Sequence, residues 1–337
     1  MLDFEHNLLF FLYVLYNAFM KISFIIPCYN EEDNVRQMKD SLSKSYEKYD
    51  DVRLELIFID DGSTDKTLDN LKDLESDEKT EVKIIELSRH FGKESAMFAG
   101  LSLSKGDYVC NIDGDCQQDP EFTTKMFDML KENKNVDCVA TVATKRLETK
   151  KSKFLKSAFY KIMNFLSETK FENGASDFRM YTRQVANAIL EMKEYHRFTK
   201  GLFSFVGFNV VYMDYTPLAR LNSKSKWSFK KLFYYALEGF LSFGQHLFVP
   251  LFFVGVFLFI ISIIMFLFGI IGFFSENHSF ISIYTLINFL FFIEGIKLPA
   301  MAVLGEYISK IYIQTKNRPI FIAKNYFNQP MKNKKEN

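Results

Sequence analysis

LELIFIDDGSTD, Leu54 to Asp65, is the stretch on which the fold turns. A run of β-branched, aliphatic and aromatic residues passes directly into two acids, a glycine and further turn-forming side chains. Runs of this kind are short buried strands, and the polar cluster that stops them is turn and helix-cap chemistry. The same design stands on either side of it. ISFIIPCYNEE (Ile22 to Glu32) precedes it, and YVCNIDGDCQQDPE (Tyr108 to Glu121) follows.

Working outward, strands are expected at Ile22 to Ile26, Leu54 to Ile59, Val82 to Leu87, Tyr108 to Ile112 and Val136 to Thr144. Polar helical segments lie between them, at about Glu31 to Lys44, Asp65 to Leu74, Gly92 to Ser104 and Pro120 to Lys131. Such alternation implies an α/β domain with a mainly parallel sheet covered by helices. Ligands then bind beyond the carboxyl ends of the strands. No GxGxxG or Walker lysine loop follows any strand, which argues against dinucleotide and P-loop readings. Asp113 and Asp115 flank one glycine at a strand end. Two acids in a turn are commonplace, but at this position they also suit Mg²⁺ or Mn²⁺ carrying a diphosphate. Asp61-Gly62-Ser63 likewise fits plain turn and cap chemistry.

The remainder of the chain has a different composition. Of 337 residues, 42 are basic and 41 acidic, so the net charge of +1 supplies no field for bulk nucleic-acid binding. Yet Gly239 to Ser275 holds no Asp, Glu, Lys or Arg. Within it Phe248 to Phe274 would make a helix of about 40 Å, against a hydrocarbon core of roughly 30 Å. A second span is expected over Phe280 to Leu304, with Lys297 near the opposite interface. Glu294 lies three positions earlier, where a structural ion pair or a subunit contact is the expectation. Lys226, Lys230 and Lys231 before the pair and Lys310, Lys316, Arg318 and Lys324 after it place both long ends in the cytoplasm. The organisation expected is therefore an apolar extension (1–20), a catalytic domain (21–227), a juxtamembrane amphipathic helix (228–247), a two-helix hairpin (248–304) and a basic tail (305–337). The extension reads either as an interfacial helix or as sequence translated ahead of a start at Met20. Lys145 to Lys161 carries seven Lys or Arg and one Glu with apolar residues at helical spacing. That pattern suits a helix on an anionic membrane surface, or one packed on the protein's own core. Cys28, Cys110, Cys116 and Cys138 lack CxxC spacing and are expected as free thiols.

PCYNEE, IDDGSTD, RHFGKESAMFAG and DGDCQQDPE, in this order, resemble the catalytic domain of family 2 glycosyltransferases, which have the Rossmann-like GT-A fold. SDFRMYTRQV, HRFTKGLFSFVGF, RLNSKSKW and GEYISKIYIQTKNRP resemble the narrower group that charges a polyprenyl phosphate, the bactoprenol glucosyltransferases and dolichol-phosphate mannose synthase. The resemblance implies a nucleotide-sugar donor with UDP-glucose as the default. It also implies an undecaprenyl phosphate acceptor, an inner-membrane location and a homo-oligomer, in the bactoprenol members a tetramer. It assigns base and ribose contacts to Pro27, Tyr29, Glu31, Asp60 and Asp61, with Asp113 beside the diphosphate. Metal ligands would be Asp113, Asp115 and Gln117. Arg146, Arg220, Ser225 and Lys226 would hold phosphates, with a solvated basic face as the alternative for Arg220 and Lys226. Asp177 matches a proposed general base, and ordering the acceptor is an equal reading of it. Two departures stand out: His90 where RNFGK is usual, and Ser223 where the phosphate motif has glycine. A processive polysaccharide synthase would carry Q-x-x-R-W, which is absent. An inactive scaffold would show a broken acidic site, whereas Asp61, Asp113 and Asp115 are intact. A transporter is disfavoured, because two spans per chain make a poor translocation path without oligomerisation.

Overall fold

Parallel strands covered on both faces need near-continuous hydrophobicity, and the apolar runs supply it. In the computed structural model, which describes residues 19–143, 175–195, 197–216 and 278–331, they form β1 (Met20–Cys28), β2 (Val52–Asp60), β3 (Thr80–Leu87), β4 (Tyr108–Asn111) and β5 (Cys138–Ala143). The helices between them are α1 (Val35–Ser45), α2 (Thr67–Lys72), α3 (Lys93–Leu103) and α4 (Phe122–Glu132). α1 begins four residues later than expected because Glu31 to Asn34 is used as a turn. There Asn34 donates its backbone N–H to Glu31 O and its amide to the Glu31 carboxylate.

β1 anchors two cores through the alternation of its side chains. Ile22, Phe24 and Ile26 join Met38 and Leu42 of α1 and Met126 and Phe127 of α4. Ile25 joins Ala96 and Met97 of α3 on the other face. α3 lies close against the sheet because Gly100 has no side chain. A Cβ there would meet Ile25 Cγ2 at 2.6 Å and Ile59 Cδ1 at 2.7 Å. That approach fixes the height of the first turn of α3 over the strand ends.

Next come β6 (Ala175–Thr182), α5 (Arg183–Glu191), α6 (Thr199–Phe205) and β7 (Val210–Tyr215), then α7 (His278–Thr315) and β8 (Ala323–Asn328). The eight strands make one sheet of order β7-β5-β6-β4-β1-β2-β3-β8. Here the expectation of a mainly parallel sheet needs correction. β2, β1, β4 and β3 form a parallel block, but β6 runs antiparallel to both β4 and β5, and β8 antiparallel to β3. The sheet is mixed. The reason is that β6, carrying Phe178 into one core and Tyr181 into the other, inserts between β4 and β5.

The described residues divide into two compact units, the sheet with its helices and the unit holding α7. The expected hairpin is not seen. Its first span lies outside the described residues, and among the described residues no helix is both long and apolar enough to cross a membrane. Phe280 to Leu304 falls within α7, a single helix of 38 residues that continues to Thr315. Leu286, Phe289, Leu290, Met301, Leu304, Ile308 and Ile311 are exposed along it. The Glu294 side chain is outside the described set. Beyond α7, the stretch expected as a tail supplies β8. Its Lys324 and Asn325 bond the two oxygens of the Glu86 carboxylate, each at 2.7 Å. The basic helix at 145–161, the amphipathic helix at 228–247 and the extension, apart from Phe19 and Met20, also lie outside the described residues.

Candidate active site

The carboxyl ends of β1, β2 and β4 converge, as the strand pairing requires. After β1, Asn30 takes φ 55°, a left-handed conformation that asparagine tolerates because its short side chain bonds locally. Asn30 accepts from Thr64 N at 2.9 Å and donates its own N–H to Ser63 Oγ at 3.1 Å. Glu31 N–H donates to Thr67 Oγ1 at 2.8 Å. The PCYNEE and DDGSTD loops are thus sewn together.

Asp60 and Asp61 are both about 2% exposed. Asp60 accepts Ser63 N–H at 3.3 Å, the turn role read for this motif. Asp61 is more heavily engaged. It accepts Phe91 N–H at 2.7 Å and Gly92 N–H at 2.9 Å, and His90 Nδ1 lies 2.9 Å from its second oxygen. Burial pushes both carboxyls up, and at Asp61 the Phe91 N–H and His90 oppose it. The His90 ring in turn stacks on Tyr29, with centroids 4.2 Å apart. Gly62, at φ +69°, lets the turn pass the next loop, since a Cβ would sit 2.6 Å from Arg89 C and His90 N. In this arrangement Asp61 organises the turn that begins α3, a use its motif alone did not reveal. Pro27 is the penultimate residue of β1, and Tyr29 is partly exposed at its end.

The turn organised by Asp61 presents Lys93. Its ammonium lies 2.6 Å from Asp113 Oδ1 and 3.5 Å from Asp177 Oδ2, joining the DGD turn after β4 to the start of β6. Gln118 clamps Asp113 from the other side, accepting its N–H at 2.9 Å and donating to Oδ2 at 3.2 Å. Gln117 donates both its amide (2.7 Å) and its backbone N–H (3.2 Å) to Asp115. Tyr215 of β7 holds the loop from beneath, donating to Gln117 O and accepting from Asp119 N–H. Burial first, then the charge of Asp113, pushes the Asp115 carboxyl up. Burial acts the same way on Asp177, but the charges of Lys93, Lys200 and Arg179 outweigh it and hold that carboxyl below its ordinary range. Burial would lower Lys93, yet Asp113 and Asp177 together raise it well above the usual lysine value, so it is a permanent cation. Asp177 Oδ1 is buried with no hydrogen-bond partner among the described residues.

Two carboxylates on one turn and an adjacent amide are a donor set for a hard cation whose other ligands are phosphate oxygens and water. Among the described residues no group of three or more His, Cys, Asp or Glu is gathered to hold a metal without such help. Burial first, and then the neighbouring Asp113 charge, disfavour the ionised Asp115 carboxyl, and a divalent ion at the DGD turn would offset both, so the residues fit one.

Of the residues singled out from sequence, Pro27, Tyr29, Glu31, Asp60, Asp61, Asp113, Asp115, Gln117 and Asp177 gather at this end of the sheet. Arg146, Arg220, Ser225 and Lys226 lie outside the described residues. Lys93 and Gln118 were missed, although both stand inside motifs quoted for other reasons. All four cysteines are free, as expected.

Residues 23–190 match the model of "Glycosyl transferase family 2". The chain is 36% identical over 305 residues to the putative glycosyltransferase CsbB of Bacillus subtilis, covering 90% of this chain and 91% of that protein. It belongs to glycosyl transferase family 2. The chain is therefore a transferase with a GT-A-like α/β fold. This family 2 glycosyltransferase is also 32% identical over 308 residues to the bactoprenol glucosyl transferase of Shigella phage SfV, covering 91% of this chain and 99% of that one. Among solved structures it resembles glucosyl-3-phosphoglycerate synthase from Mycobacterium tuberculosis in complex with Mn²⁺, UDP and phosphoglyceric acid. The identity is 18% and the TM-score 0.42, over 66% of this chain and 76% of that one, too distant a likeness to bear on substrates.

Proposed function

We propose that this enzyme moves a hexosyl unit, with UDP-glucose as the default donor, onto a polyprenyl phosphate such as undecaprenyl phosphate. The observation that carries the reading is the Lys93 bridge between the DGD turn and Asp177, in a chain that matches a bactoprenol glucosyl transferase along nearly its whole length. Asp113 and Asp115, with Gln117, would hold Mg²⁺ or Mn²⁺ against the donor diphosphate. Such an ion, when bound, neutralises charge on the departing diphosphate. Lys93, permanently cationic and set against Asp113, adds a fixed positive charge at the same place. Tyr29, His90 and the loop sewn by Asn30 and Ser63 form the wall suited to base and ribose.

The acceptor phosphate is already anionic near neutral pH, so the nucleophile needs little activation. Its oxygen bonds the anomeric carbon as the bond from that carbon to the diphosphate oxygen breaks, and the electron pair leaves with the nucleotide. Attack opposite the leaving group inverts the centre, giving a β-linked product from an α-linked donor. Asp177, kept ionised, orders the acceptor or takes a residual proton.

A lipid acceptor requires the site to work at a membrane surface. The uncharged run from Phe248 to Phe274 and the flanking lysines support a cytoplasmic-membrane location, and resemblance supports a homo-oligomer. The test incubates membranes containing the protein with polyprenyl phosphate, Mg²⁺ and a panel of nucleotide sugars, and weighs the lipid product. A folded protein that transfers from no donor would sink the proposal.

A further inference from the structure

HRFTKG, His196 to Gly201, has so far been given no role. Thr199 opens α6, and both its backbone N–H, at 3.1 Å, and its hydroxyl donate to the Glu94 carboxylate. Glu94 follows Lys93 on the first turn of α3. Arg197, 7% exposed, lays its guanidinium 4.2 Å from the centroid of the Phe98 ring and donates to Met192 O at 2.5 Å. Glu94 and Phe98 are four residues apart and so share one face of α3. This short segment therefore grips α3 at two points one turn apart. Lys200, the residue after Thr199, is near enough for its charge to depress the Asp177 carboxyl.

Leu202 and Phe203 pack α6 into the core. At its first residue, Glu94, Phe98, Asn111, Arg197 and Thr199 line a small common cavity, so the Glu94 bonds are the directed contacts that fix that end. Burial first, then the Asp177 charge, pushes Glu94 up to about 7. A carboxyl with that much desolvation against it is held in place by the donors it accepts.

We propose that Glu94 and Thr199 are positioning residues whose contact latches α6 to α3 and sets where Lys200 stands relative to Asp177, governing the transfer step rather than donor binding. The inference rests on the reading of Asp177 given above. Its test compares Thr199→Val, which keeps the shape and removes the hydroxyl, with Thr199→Ser, which restores the hydroxyl. In membranes supplied with polyprenyl phosphate and the active donor, Thr199→Val is expected to lower kcat tenfold or more with the donor KM within twofold. Thr199→Ser is expected to stay within threefold of the unaltered enzyme. In parallel, amide hydrogen exchange on the detergent-solubilised full chain reports the latch without any turnover. The peptide over α6 is expected to exchange at least tenfold faster in Thr199→Val, while β1 and β2 stay as they were. Unchanged kcat, an equal loss in Thr199→Ser, a matching rise in donor KM or unchanged exchange over α6 would each overturn the latch. If the unaltered protein transfers from no donor, the functional reading fails, and the exchange measurement still decides the latch.

Discussion

Replacing Lys93 by methionine removes the one cation among the described residues that touches both the DGD turn and Asp177 while keeping the length and bulk of the side chain. Two unit charges about 4 Å apart interact by about 4 kcal/mol at an effective dielectric near 20. The Lys93 and Asp113 side chains are 37% and 32% exposed, so solvent screening cuts that to about half, or ~2 kcal/mol. As each 1.4 kcal/mol is a factor of ten in rate, the loss expected in kcat/KM is roughly 30-fold. Lys93→Arg keeps the charge but spreads it over a planar fork, so a smaller loss is expected. The assay is steady-state transfer from the nucleotide sugar to polyprenyl phosphate, with thermal unfolding and nucleotide binding measured on the same preparations. Nucleotide binding separates a misplaced turn from a missing charge, since the Asp61 bonds to Phe91 and Gly92 do not involve the lysine side chain. A methionine variant that folds, binds nucleotide and turns over within threefold of the unaltered enzyme would refute the reasoning.

Three further outcomes are expected. Asp177→Asn lowers kcat more than it raises the donor KM, and unchanged turnover removes Asp177 from the mechanism. Gly62→Ala forces a Cβ to within 2.6 Å of two backbone atoms at φ +69°, so stability drops by about 1–3 kcal/mol, read as a lower Tm. Glu55 is fully buried and pairs with Lys83 at 2.6 Å and Lys21 at 3.3 Å. Glu55→Gln costs about 3 kcal/mol near pH 7, at the low end for a broken buried pair because Glu81 also holds both lysines. Burial pushes the Glu55 carboxyl up, but Lys83, Ser23 and the Lys105 N–H outweigh it and leave it below its ordinary value. Its stabilisation is therefore present above about pH 4.3 and lost as pH falls through the folded value. Acid unfolding of Glu55→Gln should be shallower than that of the unaltered protein, and parallel curves would argue against the network.

The parallel block and the DGD turn were legible because their signals are local. Ile22, Phe24 and Ile26 alternate with Ile25, and each strand stops at residues that cannot extend it. Asp113 and Asp115 announce themselves by position. Asp61 was legible as a turn former, but its bonds to Phe91 and Gly92 cross thirty residues and leave no local periodicity. Lys93 was hidden for a similar reason. A lysine opening a helix reads as solvated until the fold sets Asp113 and Asp177 beside it. β6 is hard to read because SDFR carries polar and charged residues in place of an apolar run, and β8 because AKNYFN lacks the apolar density of a central strand. An edge strand needs little apolar surface, and partly buried Phe327 against one core with partly buried Ala323 against the other suffices.

β8 also has a consequence for how the protein is made. Glu86 waits for Lys324 and Asn325, its partners 238 and 239 positions later. During synthesis, the outer edge of β3 stays bare until Ala323 to Asn328 emerges, after the apolar run at Phe248 to Phe274. A chain cut short before Ala323 would leave the β3 edge open, the kind of surface that recruits another strand.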